Sequence, residues 1–403
     1  MNNIKDSLIT NLFKFKWILI LVSVIFFTII FVTPKYAIQL DIGLFCNYRL
    51  KHVQFEINSG QYSLVYRGDV RELNEGENIK IQYHNDSVRI KINDKYIGHF
   101  DTLYFFPKYD NNIFKLTGVS PSTKSRKYYT QLKVFTSNNR LVLVNQIDLE
   151  RYLIGVLESE VGKDESKEFY KVHAIMSRTY ALKHKHKFSD SGYNLTDLVN
   201  CQVYHGKMYE NKKIIDAVKE TKNLVLVDEN MDYITASYYS NSGGQTAAVE
   251  DVWLEPLPYL RSVKDPYSSG THNFTWSKTI SKDRWLTYLE SKHRFPVDDK
   301  KALNSALNFK QSYRRKYFIS WDYHILLTDI RKDLKLKSTF FSVTDKGENI
   351  LLSGKGFDHG VGLSQEGAMQ MIKLGFGFLE VLKFYYTDIH VINLQMRDFY
   401  LSD

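Results

Sequence analysis

"DLERYLIGVLESEVG", residues 148–162, is where the chain changes character. Placed on a helix at about 100° per residue, Leu149, Leu153, Val156 and Leu157 form one apolar stripe. Glu160 falls near the middle of that stripe. Glu158 falls opposite, near Arg151, where a solvated ion pair accounts for it. A carboxylate turned toward a core is costly unless paired or neutral, and desolvation raises its pKa. A general acid working near neutral pH needs such a shift. The competing reading is a helix that frays before Glu160 and leaves its side chain in water. Periodicity alone does not choose between them.

Upstream, residues 39–145 read as short strands. "SVRIKIND" (87–94) alternates apolar and polar residues, as do "NEGENIKIQYHND" (74–86) and "QLKVFTSNNRLVLVNQ" (131–146). Downstream, "KEFYKVHAIMSRTYALKHKHKF" (167–188) predicts a second helix, with Lys and His at its C-terminal end, where they suit the dipole. "YITASYYSNSGGQTAA" (233–248) predicts a hairpin turning at Gly243-Gly244. "SVTDKGENILLSGKG" (342–356) is strand-like, and two short helices, "QEGAMQMIKLG" and "GFLEVLKFYY", close the chain. The fold class is α+β.

The N-terminus is different. "WILILVSVIFFTIIFV" opens an apolar segment at residues 17–33, just long enough for a bilayer core of roughly 30 Å. Lys5, Lys14 and Lys16 precede it, so the positive-inside rule puts the tail in the cytoplasm and the bulk of the chain outside. No small-x-small site favours a cleaved leader, and an uncleaved single-pass anchor is expected. The organisation is then 1–35 tail and anchor, 36–145 a β-rich part, and 146–395 a mixed α/β region.

The net charge is +9. On an exported chain this favours an anionic wall polymer over nucleic acid. The two cysteines, Cys46 and Cys201, exclude a disulfide framework, although they allow one bridge.

"KGFDHGVGLSQEGAMQM" (355–371) packs glycines around His359. It carries no G-x-x-x-x-G-K-[ST] phosphate loop, and His359 has no adjacent metal ligands. Glycines at 354, 356, 360 and 362 permit tight turning and close approach. Ser364 suits an N-cap and Gly375 a helix stop.

Seven blocks occur in order: "LERYLIGVLESEVG", "AIMSRTYAL", "CQVYHG", "ASYYSNSGGQTA", "EDVWLEPLPYLRSV", "IRKDLKLKSTFFSV" and "GFDHGVGLSQEGAMQM". Together they resemble the successive signatures of the SpoIID/LytB family of cell-wall proteins, which includes sporulation lytic transglycosylases and amidase enhancers. The resemblance covers about residues 145–390. It implies a SpoIID-like region that cleaves the MurNAc–GlcNAc β-1,4 bond of peptidoglycan, with Glu160 at the position of the catalytic glutamate. It equally admits a non-catalytic wall-binding protein that enhances a separate amidase.

Physical roles follow for the other blocks. Arg178 suits a substrate carboxylate, the orientation of Glu160, or an ion pair supporting the helix. Gln202 and Tyr204 fit sugar hydroxyls or a buried polar network. Ser240, Asn241 and Ser242 fit a cleft edge or simple turn chemistry. Trp253 and Tyr259 suit a stacking platform, with core packing expected for Trp253. His359 and Gln365 are expected on a cleft wall. Some relatives hold zinc near the "CQ" block. Here Cys201 and His205 lack a second nearby cysteine, and structural zinc takes four ligands; no metal or other cofactor is expected. Asp358 stands where the family pattern has glycine, and Glu366 where an aromatic is common.

Overall fold

The computed structural model describes residues 37–207, 210–253 and 255–401. The expected anchor at 17–33 lies outside them. Among the described residues no helix is long and apolar enough to cross a membrane.

The first part is β-rich, as its alternation predicts. Its strands are β1 (Gln39–Leu44), β2 (His52–Ser59), β3 (Tyr62–Tyr66), β4 (Asp69–Leu73), β5 (Ile79–His84) and β6 (Ser87–Ile92). They continue with β7 (Lys95–Phe100), β8 (Thr102–Pro107), β9 (Ile113–Ser120), β10 (Arg126–Tyr129), β11 (Gln131–Ser137) and β12 (Arg140–Asp148). Paired residues at positive φ, Asn85-Asp86, Asn93-Asp94 and Asn138-Asn139, turn three of the hairpins. Asn and Asp tolerate that conformation, and the turn twists with the strands. One sheet runs β10-β9-β2-β5-β6-β7. The other runs β1-β12-β11-β8-β3-β4, edged at β1 by the parallel β13 (Leu195–Thr196). Aromatic rings join the sheets: Phe55 on β2 stacks on Phe105 of β8 at 4.3 Å.

Strand β12 runs directly into α1 (Leu149–Glu160). The Asp148 carboxylate caps it, accepting from the amides of Glu150 and Arg151 at 3.0 and 3.3 Å. Then come α2 (Lys167–Lys183), capped by Ser166, α3 (Lys212–Glu220), β14 (Leu224–Val227) and β15 (Tyr238–Tyr239). Helix α2 is buried along most of its length and is the axis of the central core. Its "KHKHK" run begins at the last helical residue and continues into turns.

A second lobe follows, comprising β16 (Thr275–Ser281), α4 (Lys282–His293), α5 (Lys300–Leu307), α6 (Leu327–Asp333), β17 (Phe341–Lys346) and β18 (Asn349–Lys355). It has its own core around Trp285, Phe318 and Leu352. Thr275 pairs with Lys355, so the lobe starts and ends at neighbouring points. The chain then adds β19 (Leu363–Ser364), α7 (Gln365–Lys373), α8 (Phe378–Tyr385), β20 (His390–Asn393) and α9 (Leu394–Tyr400). Ser364 caps α7 by accepting from Gly367 N, and Gly375 at φ 96° follows its end.

Two expectations are corrected. The 233–248 stretch makes no hairpin: β15 pairs in parallel with β19, and Asn241 bridges to Phe357. Gly243 and Gly244 turn the chain at φ 69° and 98°, but toward the glycine-rich segment rather than back on itself. Glu158 is not a solvated partner of Arg151. It is 2 % exposed, because that side of α1 is covered by Tyr204, Gly206 and Lys207. Arg151 instead lies over the Tyr129 ring and donates to the Asp110 carbonyl.

Candidate functional site

Helix α1 ends on Glu160, and Gly162 at φ 84° carries the chain away. The half-buried Glu160 side chain lies against the loop that begins at Asp197. That loop is pinned from below. The Asp197 carboxylate accepts from the amides of Phe45 and Cys46 at 2.7 and 3.2 Å and from Arg126 at 2.7 Å. So held, the loop aims the Val203 amide at Glu160 Oε1, 2.7 Å away. The Tyr238 hydroxyl hydrogen-bonds the same carboxyl.

Burial is the largest influence on Glu160 and raises its pKa; the Val203 and Tyr238 hydrogen bonds pull the other way without cancelling it. The negative end of the α1 dipole acts in the same direction as burial. The helix therefore does not fray before Glu160, and the carboxyl is partly desolvated.

Glu160 lines a cleft of about 420 Å³ together with Tyr180, Cys201, Gln202, Tyr238, Trp253, Asp358 and His359. That is within the range of small-ligand clefts. His359 Nδ1 accepts from the Val361 amide at 3.0 Å, which leaves its proton on Nε2. Burial depresses this imidazole to about 4, so it is neutral at pH 7. Its ring lies 5.3 Å from Tyr239 and 5.2 Å from Trp253. Trp253 is 42 % exposed, so the core packing expected for it is not what the structure shows. Tyr259 is the core residue of that pair, 3 % exposed with its hydroxyl accepting from the Thr235 amide.

Asp358, the family's glycine position, takes φ 81°. That left-handed backbone explains why glycine suits the site. Here the aspartate spends its charge on Arg331, at 2.9 Å. Gly362 meets a second demand: a Cβ there would stand 2.2 Å from the Ser237 carbonyl, so β15 and β19 could not approach.

The other expected site residues divide. Gln202 lines the cleft, with its carbonyl facing the Tyr152 hydroxyl at 3.4 Å. Gln365 reaches His173 of α2 at 3.5 Å rather than the cleft. Tyr204 is buried, donates to Asn145 at 2.9 Å and packs on the rings of Tyr128 and Tyr152. Arg178 is fully buried and forks onto Glu150, so the supporting ion pair describes it and the cleft does not. Asn241 and Ser242 are buried too. Asn241 donates to Glu366 and Thr271, both at 2.7 Å, and the Ser242 hydroxyl to Asp265 at 2.7 Å. Ser240 accepts from Asn273 at 3.2 Å. Glu366, the acid at the position where an aromatic is common, gathers Asn241 and Asn273 into one polar knot.

Sequence reasoning missed Tyr238. Adjacent tyrosines in a strand-like run gave no sign of which would face the glutamate.

Cys46 and Cys201 are both free. Burial pushes the Cys46 thiol up to about 12. Cys201 hydrogen-bonds Tyr180, and the His205 amide is held by Ser159. Among the described residues no group of three or more His, Cys, Asp or Glu is placed to hold a metal ion. The zinc of some relatives does not fit these residues.

Comparison with known proteins agrees with this anatomy. The stage II sporulation protein (SpoIID) family profile matches residues 137–227, from β11 through α1 and α2 to β14. Stage II sporulation protein D of Bacillus subtilis is 31% identical over 263 residues, covering 62% of this chain and 75% of that protein. An uncharacterised protein of Brachyspira hyodysenteriae is 26% identical over 367 residues, 88% of this chain and 95% of that protein. The amidase enhancer of Bacillus subtilis is 28% identical over 286 residues, 58% of this chain but 39% of that longer protein. The matched profile contains both Glu160 and the loop that holds it, and the chain belongs to the stage II sporulation protein D (SpoIID) family.

Proposed function

We propose that the chain is a peptidoglycan lytic transglycosylase, cleaving the MurNAc–GlcNAc β-1,4 bond with Glu160 as acid and then base. One observation carries the reading: a partly desolvated glutamate of raised pKa on the floor of a cleft with an exposed tryptophan and a neutral histidine. Protonated Glu160 gives its proton to the glycosidic oxygen as the C1–O bond breaks. The resulting carboxylate takes the proton of the C6 hydroxyl, whose oxygen closes onto C1. A 1,6-anhydro ring forms, no water is consumed, and Glu160 ends protonated. Hydrolases need a second carboxylate for water or for a covalent intermediate. Here the nucleophile belongs to the substrate, and Asp358 is free to remain paired with Arg331. Trp253 suits a sugar face. The apolar segment at 17–33 would tether this cleft outside the cytoplasmic membrane.

A second reading, a wall-binding protein that enhances a separate amidase, is favoured by the resemblance to the amidase enhancer. Incubating purified protein with peptidoglycan, with and without stem peptides, separates the two. Anhydro-muropeptides that disappear in Glu160→Gln support the enzyme. Binding without product, from wild type and variant alike, sinks it, and stimulation of an added amidase then supports the second reading.

A further inference from the structure

The second lobe carries a surface that the cleft chemistry does not use. Residues 310–324, "KQSYRRKYFISWDYH", mix aromatics with Lys310, Arg314, Arg315 and Lys316 against the single acid Asp322. Arg314 is the exception within the run. It is 6 % exposed, its guanidinium reaching the Ser242 carbonyl at 2.7 Å and the Gln245 carbonyl at 2.6 Å. A Cβ on Gly360 would stand 2.8 Å from that guanidinium. Arg314 thus fastens the segment to the back of the wall that carries His359.

Its neighbours emerge beside the wall. Tyr313 is 56 % exposed, and the Arg315 guanidinium lies 5.1 Å from its ring centroid. The Lys316 ammonium interacts with Asp251, two residues before Trp253. Farther along, Trp321 is 64 % exposed. Ile319 and His324 bracket it at φ 60° and 53°. A β-branched residue rarely adopts that conformation, and such strain persists where the surroundings impose it. Here it turns an indole out to solvent.

The geometry points to an accessory binding surface for an acidic glycan strand, its sugar faces on Tyr313 and Trp321 and its carboxylates on Lys310, Arg315 and Lys316. Flat rings suit the apolar faces of sugars, and the charge is complementary to the lactyl carboxylates repeated along such a strand. The identity of the occupant rests on the glycan reading above. The surface would hold the strand outside the cleft while one bond sits at Glu160.

The test is co-sedimentation of the full chain with insoluble glycan strands freed of stem peptides, beside binding of a glycan tetrasaccharide. Tyr313→Ala/Trp321→Ala should weaken strand binding by about 10-fold and leave the tetrasaccharide unchanged. Lys310→Gln/Lys316→Gln should flatten the salt dependence of strand binding, as should reduction of the strand carboxyls to alcohols. Unchanged strand binding in the aromatic variant overturns the inference, and so does an equal loss for both ligands. Wild type that binds strands through this surface yet yields no anhydro product leaves the inference standing and removes the enzyme reading.

Discussion

Arg178 and Glu150 face each other between α2 and α1, with Nε to Oε1 at 2.9 Å and a terminal nitrogen to Oε2 at 2.6 Å. The arginine is fully buried and also donates to the Leu224 carbonyl at 3.0 Å. This fork fastens the first turn of α1 to α2. Arg178→Ala leaves the half-buried Glu150 carboxylate and the Leu224 carbonyl without their donor and should cost about 1–3 kcal/mol. Arg178→Lys cannot restore the fork. Chemical denaturation measures both. Wild-type stability in Arg178→Ala would show that the pair does not fasten the helices.

Glu160→Gln should lower anhydro-product formation by at least about 10²-fold, the scale of a lost general acid. The variant has a second consequence. The folded-state pKa of Glu160 is raised, so its stabilising contribution is present at low pH and lost as pH rises through that value. Glu160→Gln should therefore melt higher than wild type near pH 7, with the gap closing below about pH 4. Melting temperature against pH reads this directly, and a gap that widens in acid contradicts it. On the proposed transglycosylase reading, activity should fall as pH rises through the same raised value, because the acid must begin protonated.

His359 and His173 predict acid sensitivity. Burial depresses them to about 4 and about 3. The unfolded chain takes up protons near pH 6.5 that the folded chain refuses. Their contribution is thus present above about 6.5 and lost as pH falls toward the folded values. His359→Gln should flatten the loss of stability between about pH 6.5 and 4. An unaltered slope would show that His359 does not contribute.

Gly362→Ala adds a methyl 2.2 Å from the Ser237 carbonyl at φ 82°. Backbone strain of this kind costs about 1–3 kcal/mol before any clash. Unfolding should be easier by about 2 kcal/mol or more. Hydrogen exchange at Tyr238 and Tyr239 should rise more than in the N-terminal sheets. Gly375→Ala, where no atom lies within 4 Å, should cost less and leave that exchange unchanged.

The sequence made some of this visible and hid the rest for physical reasons. Period-2 alternation exposed the β-rich part, because each strand has one buried face. Ser364 and Gly375 were readable because caps are local chemistry. Glu158 misled because the far side of α1 is covered by residues 204–207, distant in sequence. The 233–248 segment misled because Asn-Ser-Gly-Gly signals a turn without saying which strand the chain meets next. Glu160 was legible as a carboxylate near an apolar stripe, while Tyr238 and the outward Trp253 needed the tertiary fold to declare themselves.

The pairing of Thr275 with Lys355 has a consequence for descent. The polypeptide leaves the cleft wall and rejoins it at neighbouring residues, so the intervening lobe is one excursion of the chain, tied back to the wall by Arg314 and Arg331. It can be lengthened, shortened or exchanged while the path from Asp148 to Glu160 is left as it was. Lineages that share the same glutamate are then free to diverge in what they hold beside it.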